Sequence, residues 1–195
     1  MRVAAIILAA GASTRMGLPK QLLRVGGKTL LEDSVDQALD AGFNPLLVVV
    51  GAQARAVRAL VSAKRVEVVE NARWADGMGT SIGAGIEYLE GLGPDLAAVA
   101  ILVGDQPMVK AEHLRAMCAS LEASRDPAVA AFYSGCLGVP AVFRKALFPL
   151  LKTLPPDAGA RRLLRSGEFR ITSFELPEAA VDIDTPEDYR QLTGK

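Results

Sequence analysis

Five short apolar runs, rich in β-branched residues, recur along the chain: VAAIIL at 3–8, LLVVV at 46–50, VEVVE at 66–70, AVAILV at 98–103 and AVAAFY at 128–133. Between them lie amphipathic stretches of helical period: LLEDSVDQALDAG, stopping at Gly42, then ARAVRALVSA, TSIGAGIEYLEG and KAEHLRAMCASLEAS. Continuous apolar strands separated by amphipathic helices predict a mainly parallel sheet covered on both faces. The expected architecture is α/β, a doubly wound, Rossmann-like sandwich flanked by helices.

The rhythm loosens after Ala130. CLGVPAVF reads as a turn and a short strand, PPDAGARRLLRSG as a capped helix, and RITSFEL and AAVDID as further strands. Pro186 opens a last helix, PEDYRQL, with Thr185 as its N-cap. There is no internal repeat, low-complexity tract or long linker, so residues 1–195 read as one domain.

Composition narrows the class. Half of the residues are hydrophobic and only 5% aromatic, so Ala, Val, Leu and Ile must fill the interior. Lys plus Arg and Asp plus Glu each number 22, which leaves no broad field to attract nucleic acid or anionic lipid. The run VAAIILAA leads into a glycine-rich loop with two cations rather than a cleavage site, and no segment approaches the ~20 apolar residues of a membrane span. A cytoplasmic protein is expected. Cys118 and Cys136 are too few for a disulfide framework, and His113 is the only histidine, which excludes His-rich metal sites.

In an open α/β sheet, ligands bind beyond the carboxyl ends of the strands, so polar residues just after the apolar runs are the candidates for chemistry. The first is LAAGASTRMGLPKQLL, from Leu8 to Leu23. Its glycines allow backbone N–H groups to approach an anion, and Arg15 and Lys20 can neutralise charge. The spacing fits neither the P-loop nor the G-x-G-x-x-G fingerprint, and a tight strand-to-helix turn with two solvated cations is the lesser reading of the loop alone. The second is GDQP, where a buried strand delivers Asp105. The third is DIDTPED, with Asp182 and Asp184, of which at most one is expected to meet a metal well. A hard cation is commonly held by one or two carboxylates plus phosphate oxygens and water. Singly, Asp105 and Asp184 read as turn and helix caps; together with the loop they fit the holding of a nucleoside triphosphate with Mg²⁺.

LAAGASTRMGLPKQLL, GDQP and DIDTPEDY together resemble the MobA-like nucleotidyltransferases, most closely the molybdenum cofactor cytidylyltransferases. NARWADGMGTSIGAGI, GVP and DAGARRLL extend the resemblance over nearly the whole chain. It implies that Leu8, Ala9, Ala10, Gly11, Ala12 and Ser13, with Arg15 and Lys20, hold the nucleotide, and that Gly77, Met78 and Ser81 line the base and ribose site. Asp105 is implied as principal metal ligand and Asp184 as the second, with Asp182 its rival; the catalytic set is Arg15, Lys20 and Asp105. Gly138, Pro140, Gly159 and Arg161 are implied to receive the acceptor. The nucleotide part then covers about residues 1–110 and the acceptor part about 111–195.

The chain has Ala158 where relatives often carry lysine. Its LAAG, in place of the LAGG of guanylyltransferase relatives, points to CTP through the Ala10 methyl. Bland readings stand beside these: Trp74 as a packing anchor, Met78 as core, Gly79, Gly83 and Gly85 as close-packing positions, and Arg161 with Arg162 as an exposed helix face.

The reaction implied by the resemblance joins CMP from MgCTP to molybdopterin cofactor and releases pyrophosphate. Mn²⁺ is the alternative ion, and a molybdoenzyme or its chaperone would receive the product. The acceptor phosphate is already anionic near neutrality, so no general base is demanded. Two other readings remain open: transfer to another phosphorylated acceptor, and a cofactor-binding protein or oxidoreductase on the same fold.

Overall fold

A computed structural model of the chain describes residues 1–13, 16–93 and 95–194. In chain order the first elements are β1 (Val3–Ala9), a small hairpin of β2 (Arg24–Val25) and β3 (Lys28–Thr29), α1 (Leu30–Asp40), β4 (Leu46–Val50), α2 (Ala54–Val61), β5 (Glu67–Glu70), α3 (Met78–Gly91) and β6 (Ala98–Val103). There follow α4 (Ala111–Ala123), β7 (Ala128–Tyr133), β8 (Cys136–Arg144), α5 (Phe148–Lys152), α6 (Ala160–Leu164), β9 (Ile171–Glu175) and α7 (Pro186–Thr193).

The sheet order is β5-β4-β1-β6-β8-β7-β9. All neighbours run parallel except β8, which is antiparallel to both β6 and β7. Both faces are covered, which is why β1 is apolar throughout. Ala5, Ile7 and Ala9 pack with Leu31 and Val35 of α1 and Met117 of α4, whereas Ala4 and Ile6 pack with Ile82 and Ile86 of α3 and Phe148 of α5. Helix α1 starts on a capping box, in which Thr29 Oγ1 accepts from the Glu32 amide and Glu32 accepts from the Thr29 amide. Among the described residues no helix is long and apolar enough to cross a membrane.

Two sequence expectations need correction. CLGVPAVF belongs to a nine-residue strand, not a turn and short strand, and that strand runs against its neighbours. A two-residue turn at Ser134 and Gly135, both with positive φ, folds it back on β7. AAVDID is not a strand. Pro177–Ala180 forms a 3₁₀ turn, β9 already pairs with β7, and the segment crosses the end of β6 with the Ile183 amide donating to the Asp105 carbonyl at 3.1 Å.

A small apolar cluster, Met16, Leu30 and Ile183 with Tyr189 against it, lies beneath the glycine loop. It ties the C-terminal segment to that loop, and the Tyr189 hydroxyl donates to the Arg24 carbonyl at 2.8 Å. Helix α7 begins at its expected cap, with Thr185 Oγ1 accepting from the Asp188 amide.

Candidate active site

Beyond β1 the chain folds back on itself around one side chain. Gln21 is 3% exposed; its Nε2 donates to the carbonyls of Ala9 (3.3 Å) and Gly11 (3.2 Å), and its Oε1 accepts from the Ser13 hydroxyl. Ser13 takes a left-handed φ of 53°, and its Oγ accepts from the Lys20 amide at 3.1 Å. Uncharged and set in a mixed loop, Gln21 carries no compositional signal, and sequence reasoning missed it. Thr14 and Arg15 lie outside the described residues, so the role expected of Arg15 has no geometry here.

The loop brings Lys20 to the end of β6. Its Nζ pairs with Asp105 and donates to Asp184 Oδ1 at 3.1 Å. Burial alone would lower the Lys20 pKa, but the charge and hydrogen bond of Asp105, joined by Asp184, outweigh it and hold the ammonium above the ordinary lysine value. For Asp182, burial and then repulsion from Asp184 and Asp105 push the carboxyl above the usual aspartate range. Asp182 and Asp184 line the same cavity while Ile183 between them is buried in the apolar cluster. Both side chains of the pair therefore reach the site, since residues two apart in an extended segment share a side.

Asp105 is 9% exposed, and its Oδ1 has no hydrogen-bond partner among the described residues. A buried carboxylate oxygen without a donor is costly, and a hard cation would satisfy it. Among the described residues no three Asp, Glu, His or Cys side chains form a ready metal cage. Asp105 and Asp184 therefore fit a cation completed by ligand oxygens rather than an all-protein centre.

The far wall is the start of α3. Asn71 Nδ2 donates to Thr80 Oγ1 (2.8 Å) and Ser81 Oγ (3.0 Å). Gly77 has φ 133° and, like Gly79, lies so close to the Pro155–Pro156 backbone that a Cβ would overlap it. Of the other glycines, Gly85 meets the sheet at Ile6, whereas Gly83 faces the Lys152 carbonyl.

Two cavities open here. The first, ≈ 160 Å³, gathers Leu8, Ala10, Gly11, Met78 and Ser81, with Trp74 and Gln21 added by the structure. The second, ≈ 390 Å³, gathers Gly159, Arg161, Asp182 and Asp184, with Tyr133 and Asp157 added. Lys20, Met78, Val103 and Asp105 line both. Ala9, Ala12, Ser13 and Gly77 are not on the lining of the first cavity.

Gly138 and Pro140 are not on the lining of the second cavity. The register of β8 against β7 slips between Gly138 and Ala141, so Val139 reaches the cavity while Pro140 is buried near Ser34 and Leu114. Gly138 instead underlies Tyr133 and Arg161, where a Cβ would stand 2.6 Å from the tyrosine oxygen. The Tyr133 hydroxyl donates to the Val139 carbonyl at 3.0 Å and accepts from Arg161 at 3.1 Å. Buried Gln106 Nε2 donates to the same Val139 carbonyl (3.1 Å) and to Ala179 (2.7 Å), tying the cavity wall to the segment that carries Asp182 and Asp184.

The sequence profile of the MobA-like NTP transferase domain matches residues 5–171. The chain is 32% identical to the purine catabolism protein PucB of Bacillus subtilis (strain 168), over 94% of this chain and 92% of that protein. It is also 32% identical to nicotine blue oxidoreductase of Paenarthrobacter nicotinovorans, over 97% and 96% respectively. Rv0371c of Mycobacterium tuberculosis H37Rv superposes with a TM-score of 0.84 at 30% identity, over 100% of this chain and 99% of that one. Its complex with manganese gives 0.80 at 30% identity, over 100% of both chains. The mixed, mainly parallel sheet flanked by helices is the nucleotidyltransferase fold. In sequence as in architecture, the chain belongs to the MobA-like NTP transferase family and is a nucleotidyltransferase-family enzyme.

Proposed function

We propose that the protein joins CMP from MgCTP to the terminal phosphate of molybdopterin cofactor, releasing pyrophosphate. The observation that carries this reading is the meeting of two cavities at Lys20 and Asp105, which suits two ligands reacting across one point. The first cavity takes CTP, with the amides of Ala10 to Ser13 and the Arg15 and Lys20 cations toward its phosphates. The second takes the acceptor, with Arg161 and Gly159 at its far end. The chain thus divides by labour into a nucleotide part, about 1–110, and an acceptor part, about 111–195.

An acceptor phosphate oxygen attacks the α-phosphorus, the bond to the β-phosphate oxygen breaks, and pyrophosphate leaves with that electron pair. The nucleophile is already anionic, so the chain's task is positioning and charge neutralisation. Lys20, whose ammonium form is favoured by its carboxylate partners, offsets charge on the α-phosphate and the leaving group. Asp105 and Asp184 would hold Mg²⁺, with Asp182 as alternative to Asp184. When bound, the ion would supply positive charge to offset that of the phosphates. The manganese complex of Rv0371c supports a divalent-cation site and keeps Mn²⁺ as the alternative ion. A cytoplasmic setting, with a molybdoenzyme or its chaperone receiving the product, belongs to the same reading.

The test is pyrophosphate release from CTP against a panel of acceptors: molybdopterin cofactor, a sugar phosphate and phospholactate. Release with the pterin alone supports the reading, and release with another acceptor alone replaces it. A second reading, an oxidoreductase, is favoured by the similarity to nicotine blue oxidoreductase. It requires nicotinamide or flavin turnover with a dye substrate and no pyrophosphate.

A further inference from the structure

Gln106 directly follows Asp105, is 7% exposed and lies on the lining of the second cavity. A glutamine amide brings two N–H donors, and here both are committed to main-chain carbonyls of distant segments, Ala179 at 2.7 Å and Val139 at 3.1 Å. Neither hydrogen is left for a ligand.

Both carbonyls lie where no sheet ladder serves them. Val139 falls in the register slip of β8, between Gly138, which pairs with Ala131, and Ala141, which pairs with Ala130 and Ile101; the residue between Val139 and Ala141 is a proline, with no N–H to give. Ala179 belongs to the 3₁₀ turn Pro177–Ala180 and is 1% exposed. A buried carbonyl without a donor is costly, and one side chain satisfies the pair.

The stretch that begins at Ala179 is fastened a second time to the same corner. The Ile183 amide donates to the main-chain carbonyl of Asp105 at 3.1 Å, and the Ile183 side chain, 1% exposed, sits in the cluster with Met16 and Leu30. Two consecutive residues beyond β6 thus hold both ends of 179–183, one through its side chain and the other through its backbone. Asp182 and Asp184 flank the second fastening and line the cavity that Gln106 and Val139 also line. The Val139 carbonyl accepts from the Tyr133 hydroxyl as well, at 3.0 Å, so the atom that anchors Gln106 also anchors the residue to which Arg161 donates.

We infer that Gln106 is a positioning residue for the carboxylates: by tying the 179–184 segment to the β8 bulge it sets the placement of Asp182 and Asp184 relative to Asp105, and so the affinity of the site for a divalent cation. This rests on the reading of Asp105 and Asp184 as cation ligands. Gln106 acts through the segment it holds, not by contact with the cation. Groups that orient metal ligands from outside commonly change metal affinity by about 10- to 100-fold. Coupling is reciprocal, so a cation that favours the placed segment favours the Gln106 bonds by the same factor.

Mn²⁺ is titrated against the full chain by electron paramagnetic resonance, alone and with CTP but no acceptor, with circular dichroism to establish the fold of each variant. Gln106→Met keeps the length of the side chain and removes both donors; it is expected to raise the Mn²⁺ Kd by about 10- to 100-fold. In the wild type, where no substitution is involved, hydrogen exchange of the Gln106 side-chain amide is followed by NMR. Mg²⁺ with CTP should slow that exchange, and CTP with a chelator should not. A folded Gln106→Met variant with the wild-type Mn²⁺ Kd would overturn the inference, as would exchange at Gln106 that Mg²⁺ leaves unchanged or that slows equally in the chelator; in each case the cation reading stands. Failure of the wild type to bind Mn²⁺ in either condition overturns the cation reading, and this inference with it.

Discussion

The two cavities meet at the same lysine and aspartate but are walled in different ways. The first is bounded by backbone that tolerates no addition: Gly51, Gly77 and Gly79 each lie within overlap distance of a neighbouring segment, and Gln21 and Ser81 are almost fully buried. The second is bounded by side chains that reach solvent, Asp157 and Arg161, around a bulged strand. Its lining places four carboxylates, Asp105, Asp157, Asp182 and Asp184, against the cations of Lys20 and Arg161. A wall made of close-packed backbone fixes one ligand shape, whereas a wall made of exposed side chains can be changed without disturbing the sheet.

The sharpest way to break this comparison is at the shared junction. Asp105→Asn keeps the side-chain size, removes the charge and should lower transfer by about 10²-fold or more. Circular dichroism would show the fold intact, and near-normal turnover of the folded variant would remove Asp105 from the site. Gly79→Ala probes the rigid wall: a Cβ there overlaps the Pro155 carbonyl, so urea denaturation should show a loss of about 1–3 kcal/mol. An unchanged midpoint would mean that the α3 start yields easily.

Ala10→Gly removes one methyl from the lining of the first cavity. It should relax the preference for CTP over GTP by at most ~1–3 kcal/mol, read as the ratio of kcat/KM values with one acceptor. A wild type that favours GTP would refute the cytidylyl assignment. Arg161→Ala tests the adjustable wall and should have the smallest effect. Loss of a charged hydrogen-bond donor should raise the acceptor KM roughly tenfold while leaving the KM for CTP and the melting temperature in place. A rise in the CTP KM instead would place Arg161 on the nucleotide side.

The same contrast governs what the sequence made legible. The runs at 3–8, 46–50, 98–103 and 128–133 match β1, β4, β6 and β7 closely, because strands buried on both faces must be apolar throughout. Asp105 reads as a charge at the end of such a run and Lys20 as one in the loop after the first run, whereas Asp184 ends AAVDID, which forms no strand. The bulged, reversed β8 was not legible, since Gly138 and Pro140 interrupt its pattern, and AAVDID has a strand's alternation but crosses the end of β6 instead of running beside a strand. Gln21 and Gln106 act through buried amide hydrogen bonds to distant carbonyls, which no local pattern encodes.

The central claim is that a nucleotide and an acceptor react across Lys20 and Asp105 while both are bound. It is tested most directly by incubating the enzyme with CTP labelled at the α-phosphate, with and without molybdopterin cofactor, and quantifying labelled dinucleotide and pyrophosphate together. The account predicts equal amounts of the two products, formed only when both substrates and a divalent cation are present. Pyrophosphate formed equally without the acceptor, or acceptor consumed with the label left in CTP, would contradict it.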